Sequence, residues 1–135
     1  MVKRVHVAVA VIVNNEQEVL LSFRAANQHQ GNLWEFPGGK VEVGETVQQA
    51  LTRELLEELA VEVRSAEPLI EISHDYGDKT VLLDVWWSED FSGEPHANEG
   101  QPWKWVPLHT LSDYEFPAAN APILEAINRR VGFVG

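Results

Sequence analysis

A chain of 135 residues, of which 44% are hydrophobic and 23% charged, is long enough to bury a core without covalent staples, and it reads as one globular domain spanning residues 1–135. It contains no cysteine, which excludes a disulfide framework, a thiolate metal site and a cysteine nucleophile, and makes a reducing cytoplasm the simplest home. The formal net charge of −11 argues against a general affinity for nucleic-acid backbones, whereas a phosphorylated small molecule is an acceptable ligand if divalent cations stand between the two sets of negative charge.

The N-terminal stretch "MVKRVHVAVAVIVNNEQEVLL" has the basic start and apolar run of a signal peptide. However, Val5, Val7, Val9, Val11 and Val13 alternate with His6, Ala8, Ala10 and Ile12, which is strand periodicity, and no small-residue cleavage site follows. No stretch reaches the roughly 18 apolar residues of a spanning helix, so no membrane association is expected. A second β-branched run, Glu18 to Phe23, follows the turn-like "NNEQ", and the two runs predict a strand pair. After the polar "RAANQHQGN", the segment "LWEFPGGK" carries Pro37, Gly38 and Gly39, which break regular structure and let backbone come close to a ligand.

The next element is a helix. Thr46 and Gln49 form a capping-box pattern, and Val47, Leu51, Leu55 and Leu59 recur every four residues as an apolar stripe. Strands are predicted around Val61 to Arg64, Leu69 to His74, Thr80 to Ser88 and Trp103 to Val106, with turns at "DYGDK" and "FSGEPHANEGQP". Trp86 and Trp87 face opposite sides of their strand, so one of them belongs to the core. In the closing "PAANAPILEAINRR", Ile123, Leu124, Ile127 and Val131 suit a second amphipathic helix. Mixed strands with two separated helices predict an α/β sandwich. His6, His74, His96 and His109 show no metal-ligand spacing.

The first helix also carries Glu54, Glu57 and Glu58. Like charges four residues apart repel on a helix, and here they stand at i, i+3 and i+4, a spacing that predicts one patch of carboxylates opposite the leucine stripe. Carboxylate oxygens are the ligands that Mg²⁺ and Mn²⁺ prefer. Alone, the pattern is more often that of a solvated acidic face. Its neighbours favour a cation: a glycine turn directly before, Glu45 just ahead of the helix, and Arg53 beside the cluster.

Residues 39 to 61, "GKVEVGETVQQALTRELLEELAV", resemble the Nudix box: Gly, five residues, Glu, seven residues, then Arg-Glu-aliphatic-x-Glu-Glu-x-Gly-aliphatic. Gly39, Glu45, Arg53, Glu54, Leu55, Glu57, Glu58 and Val61 fall on the pattern. Ala60 stands where the box has glycine, a place that usually serves a left-handed turn, which alanine adopts at a cost of about 1 kcal/mol or more. The similarity extends along most of the chain, through "LLSFRAANQHQGNLWEFPGGKVEVGET", "SGEPHANEGQPWKWVPL" and "YEFPAANAPIL", and it is closest to the MutT-type 8-oxo-dGTP diphosphatases.

The resemblance implies a Nudix-type α/β/α sandwich with a mixed central sheet and two main helices. It also implies a magnesium- or manganese-dependent pyrophosphohydrolase acting on a nucleoside triphosphate. By position, Arg24 and His29 lie near the phosphates or nucleoside, and Phe36 supplies backbone contacts to the base. The Gly38 or Gly39 carbonyl helps bind metal, Glu54, Glu57, Glu58 and Glu99 hold or serve the divalent ions, and Asn120 reads the base. Glu54 and Glu99 are both candidates for the general base, while Arg53 pairs with Glu45 and orients the carboxylates. Lys79 stands where arginine is expected, leaving open a phosphate or base contact. Tyr76, near a turn, either stacks on a base or packs against its surroundings. Asn120 either matches the carbonyl and N–H of an oxidised purine edge or caps the last helix.

The activity implied is hydrolysis of 8-oxo-dGTP to the monophosphate and pyrophosphate by a monomer. The rivals are a Nudix activity on another nucleotide, such as CTP or 5-methyl-dCTP, and a non-catalytic nucleotide-binding module. The intact glutamate set argues against the second rival.

Overall fold

The computed structural model describes residues 3–24, 33–98 and 100–132, the side chains of Lys3 and Arg24 excepted. The elements follow in the order β1 (Lys3–Ile12), β2 (Glu18–Arg24), β3 (Leu33–Glu35), β4 (Gly38–Lys40), α1 (Val47–Leu59), β5 (Glu62–Asp75), β6 (Lys79–Ser92), β7 (Trp103–Pro107) and α2 (Ala121–Val131), with 3-10 turns at Leu108–Asp113 and Ala118–Asn120. They form a mixed four-stranded sheet, β4-β1-β6-β5, and an antiparallel three-stranded sheet, β3-β2-β7. The α/β class, the mixed central sheet and the two main helices are as expected, and an antiparallel three-stranded sheet accompanies them.

The predicted strand pair therefore divides. β1 lies between β4, to which it is antiparallel, and β6, to which it is parallel, while β2 pairs with β3 and β7. Only an isolated bridge between Val13 and Val19 joins the two runs. The reason lies in burial: every residue from Ala8 to Val13 is buried, as suits a strand covered on both faces and carrying an apolar run rather than a polar alternation. Val9, Val11 and Val13 pack on one side with Ile123 and Ile127 of α2. Ala8, Ala10 and Ile12 pack on the other with Ala50, Leu51, Leu55 and Leu59 of α1. Thus β1 is the middle of the sandwich, with one helix on either side.

β5 is one strand where two were predicted. Pro68, which interrupts the pattern, is accommodated because β5 is a sheet edge and its register against β6 shifts three times, between Val63 and Ser65, Ser65 and Glu67, and Pro68 and Ile70. An edge with bulges is where a residue lacking an N–H is tolerated. Of the two tryptophans on β6, Trp87 is in the core and Trp86 is half-buried on the α1 side. The indole Nε1 of Trp86 donates to Asp84 Oδ1 at 2.7 Å.

Candidate active site

The N-terminus of α1 is fixed by local chemistry. The Gln49 N–H donates to Thr46 Oγ1 at 3.1 Å, and the Thr46 N–H donates back to Gln49 Oε1 at 2.8 Å, the reciprocal capping its sequence predicts. With the start pinned and Leu51, Leu55 and Leu59 buried, the rotation of the helix is set. It presents Arg53 and Glu54 to the loop that precedes it.

Arg53 is the organising cation. Its Nε and Nη2 donate to the two carboxylate oxygens of Glu45 at 2.8 and 3.0 Å, and Nη2 also donates to the Lys40 carbonyl at 3.0 Å. Nη1 donates to Glu54 Oε1 at 2.8 Å and stands 3.6 Å from Glu57 Oε2 and 3.7 Å from Glu42 Oε1. A planar fork of donors suits this arrangement, which a lysine could not reproduce. Hydrogen bonds from Arg53, and secondarily from the Glu42 N–H, lower the Glu45 carboxyl from its ordinary 4.5 to about 2. Reciprocally, Glu45 first and Glu54 second raise the Arg53 guanidinium further above its already high value, against the opposing effect of burial.

Of the three carboxylates only Glu57 lies opposite the leucine stripe. At 100° per residue Glu54 and Glu58 fall at the margin of the stripe, each within about 60° of a buried leucine. The side chain of Glu54 is accordingly only 16% exposed, against 56% for Glu57. Among the described residues, no three Asp, Glu or His side chains are close enough to form a preassembled cation cage.

Gly38 and Gly39 are required by close approach. Gly38 sits at φ +154°, where an added Cβ would be 2.0 Å from the Ala8 carbonyl oxygen. At Gly39 an added Cβ would fall 2.4 Å from the Glu54 carboxyl carbon. The bare backbone of β4 is thus a cradle against which the Glu54 carboxylate lies. Carboxylate oxygens beside main-chain carbonyls are a hard donor set, and they fit Mg²⁺ or Mn²⁺ rather than a softer metal.

From this cradle a cleft of about 420 Å³ extends across the sheet edge, within the range of small-ligand sites. Gly38, Gly39 and Glu58 line it, as do Phe36, Tyr76, Lys79 and Asn120. Phe36 is buried and its ring stacks on Phe116 at 5.3 Å. Tyr76 is 39% exposed, with its ring 4.4 Å from that of His74. Asn120 occupies the N-cap position of α2 with helical backbone angles and makes no side-chain capping hydrogen bond, so its amide is not consumed as a cap. Arg24 ends β2, and its side chain lies outside the described residues, as do His29 and Glu99. Glu45, Arg53, Glu54 and Glu57 are not among the residues that line the cleft.

Glu35, Lys40 and Gln101 also line the cleft, and the sequence pattern does not single them out. Gln101 has one sequence signal: it stands two residues after Glu99 in a segment that matches the resemblance.

Comparison with known proteins agrees with this geometry. Residues 8–126 match the family model of the NUDIX domain. The chain is 38% identical over 127 residues to the 8-oxo-dGTP diphosphatase of Escherichia coli (strain K12), covering 94% of this chain and 98% of that protein. To the CTP pyrophosphohydrolase of the same organism it is 37% identical over 118 residues, covering 87% of each. A structure from work on MutT of Aliivibrio salmonicida and Vibrio cholerae superposes with a TM-score of 0.85 at 35% identity, over 95% of this chain and 99% of that one.

Proposed function

The chain belongs to the Nudix family and is a nucleotide pyrophosphohydrolase, and from that premise we propose that its preferred substrate is 8-oxo-dGTP, cleaved to 8-oxo-dGMP and pyrophosphate. The observation that carries this choice is Asn120: a side-chain amide in the cleft, left unused by the helix it precedes. An amide donates and accepts side by side. It therefore matches the carbonyl and N–H on one edge of 8-oxoguanine, whereas unmodified guanine presents an acceptor at that nitrogen. Phe36 supplies backbone contacts to the base, and Tyr76 and Lys79 border the base or phosphates from the β5–β6 turn. Arg24 and His29 act on the phosphates or nucleoside.

Glu54, Glu57, Glu58 and Glu99, with the Gly38 or Gly39 carbonyl, would hold Mg²⁺ or Mn²⁺. When bound, the ion screens the polyphosphate charge and lowers the pKa of water toward neutrality. The protein's own part is to place a proton acceptor, Glu54 or Glu99, within reach of that water. The bidentate Arg53–Glu45 pair, with the Lys40 carbonyl, positions the guanidinium that holds Glu54. We further read the chain as a monomeric, single-domain cytoplasmic enzyme of nucleotide-pool sanitation, with no nucleic-acid or membrane partner. Among the described residues, no helix is long and apolar enough to cross a membrane.

The near-equal identity to a CTP pyrophosphohydrolase supports a second reading, a cytidine or methylated cytidine triphosphate as substrate. A panel of 8-oxo-dGTP, dGTP, CTP and 5-methyl-dCTP, assayed with Mg²⁺ for pyrophosphate and orthophosphate separately, tests both. The first reading expects pyrophosphate, released fastest from 8-oxo-dGTP. Faster turnover of either pyrimidine would favour the second, and orthophosphate as the direct product would contradict both.

A further inference from the structure

Gln101 leads into β7 and lines the same cleft as Phe36, Glu58 and Asn120. Its Oε1 is shielded from solvent and has no hydrogen-bond partner, and no other buried side-chain nitrogen or oxygen among the described residues is left unpaired. The chain on either side is tied down: the Asn98 N–H donates to the Glu58 carbonyl at 3.1 Å, and the Pro102 carbonyl accepts from the Phe23 N–H at 2.9 Å. The amide therefore sits on a fixed support.

Buried polar atoms in folded proteins are nearly always paired, and one left unpaired destabilises the fold. Such an atom in a ligand cleft suggests a partner that arrives with the ligand. An amide oxygen only accepts, so that partner is an N–H or O–H. The phosphates of a nucleoside triphosphate are anionic acceptors at neutral pH and would be repelled, which leaves the nucleoside. A ring N–H beside a carbonyl is the edge that Asn120 already matches, and a second amide there would compete for it. An exocyclic amino group or a sugar hydroxyl has no such conflict.

We propose that Gln101 is a specificity-determining residue whose Oε1 accepts a hydrogen bond from the exocyclic amino group or the 3′-hydroxyl of the substrate nucleoside. The inference rests on the nucleotide reading given above. The terminal torsion of glutamine is broad, so the amide can turn its oxygen toward a ligand with the backbone at rest. Asn120 matches one edge of the base; the unpaired Oε1 of Gln101 adds a further acceptor to the same cleft.

The test is Gln101→Met, which keeps length and near-equal volume while removing the acceptor. Steady-state kinetics are measured with dGTP, with dITP, which lacks the 2-amino group, and with 2′,3′-dideoxy-GTP, which lacks the 3′-hydroxyl. On dGTP the variant should show KM raised about tenfold with kcat nearly unchanged. The penalty should vanish on dITP if the amino group is the partner, or on the dideoxynucleotide if the hydroxyl is. Without nucleotide the melting temperature should stay level or rise, because an unsatisfied acceptor has been removed. An unchanged KM on dGTP, or a penalty of equal size on all three nucleotides, would overturn the proposal. So would a fall in melting temperature with unaltered kinetics, the mark of a packing role. If wild type hydrolyses 8-oxo-dGTP no faster than dGTP, the substrate reading fails while this comparison stays readable.

Discussion

Asn120 and Glu45 show how differently single residues can be read. Asn120 precedes a helix, so capping is its ordinary role by sequence; the absent capping bond is a geometric fact that only the fold supplies. Asn120→Ala should therefore cost little stability and lower the kcat/KM ratio of 8-oxo-dGTP to dGTP by roughly 1–3 kcal/mol of discrimination, with metal dependence retained. An unchanged ratio in a folded variant would remove Asn120 from the site. The pairing of Glu45 with Arg53, in contrast, is legible from box spacing alone, and its consequence is a pH dependence. Because the folded pKa, about 2, lies below the ordinary 4.5, the pair's contribution to stability is complete above about 4.5 and is lost as pH falls toward 2. Melting curves across that interval should fall more steeply for wild type than for Glu45→Gln, which should be less stable near neutrality and flatter in acid. Parallel curves would show that the pair is not coupled to folding.

Among elements, α1 is legible from end to end and the strands are not. Capping and apolar spacing are local properties, and Thr46, Gln49 and the three buried leucines behave as local rules require. Strand partners are distant in sequence, so the pairing of β1 with β6 could not be read from either run. The placing of Glu54 and Glu58 opposite the leucines failed for a different reason: i, i+3, i+4 spacing says which residues are neighbours, and only the helical angle says what else they border. At the C-terminal end Ala60 adopts φ 59° and ψ 27°, the left-handed conformation its place in the box predicts. The end of α1 just before it is anchored, because the N–H groups of His96 and Asn98 donate to the Leu59 and Glu58 carbonyls. Ala60→Gly should raise stability by about 0.5–1 kcal/mol, the relief of the Cβ clash reduced by the greater freedom of unfolded glycine. Thermal or denaturant unfolding checks this, and a loss of stability would mean that the alanine methyl makes contacts worth more than the strain.

At the scale of the molecule, Arg53 bridges Glu45 and Glu54 and offsets part of their charge. The fold should thus persist in EDTA while turnover is abolished, and Mg²⁺ should then raise the melting temperature by mass action, by up to about 2.7 kcal/mol of stability at a hundredfold excess over Kd. Glu58→Gln should reduce that gain and lower the rate by orders of magnitude with the fold intact. Wild-type rates in EDTA, or a melting temperature indifferent to millimolar Mg²⁺, would refute the metal assignment. What sequence could not supply at this scale is the cleft itself, since β4, the β5–β6 turn and the 3-10 turn at Ala118–Asn120 come together only by tertiary packing. That assembly has an evolutionary consequence. Glu54, Glu57, Glu58 and their glycine cradle belong to α1 and β4, whereas Tyr76, Lys79, Gln101 and Asn120 come from connecting segments and strand ends. Substrate choice can therefore drift by exchange of a few residues in those segments while the hydrolytic apparatus is inherited intact. A change of diet requires no new machinery.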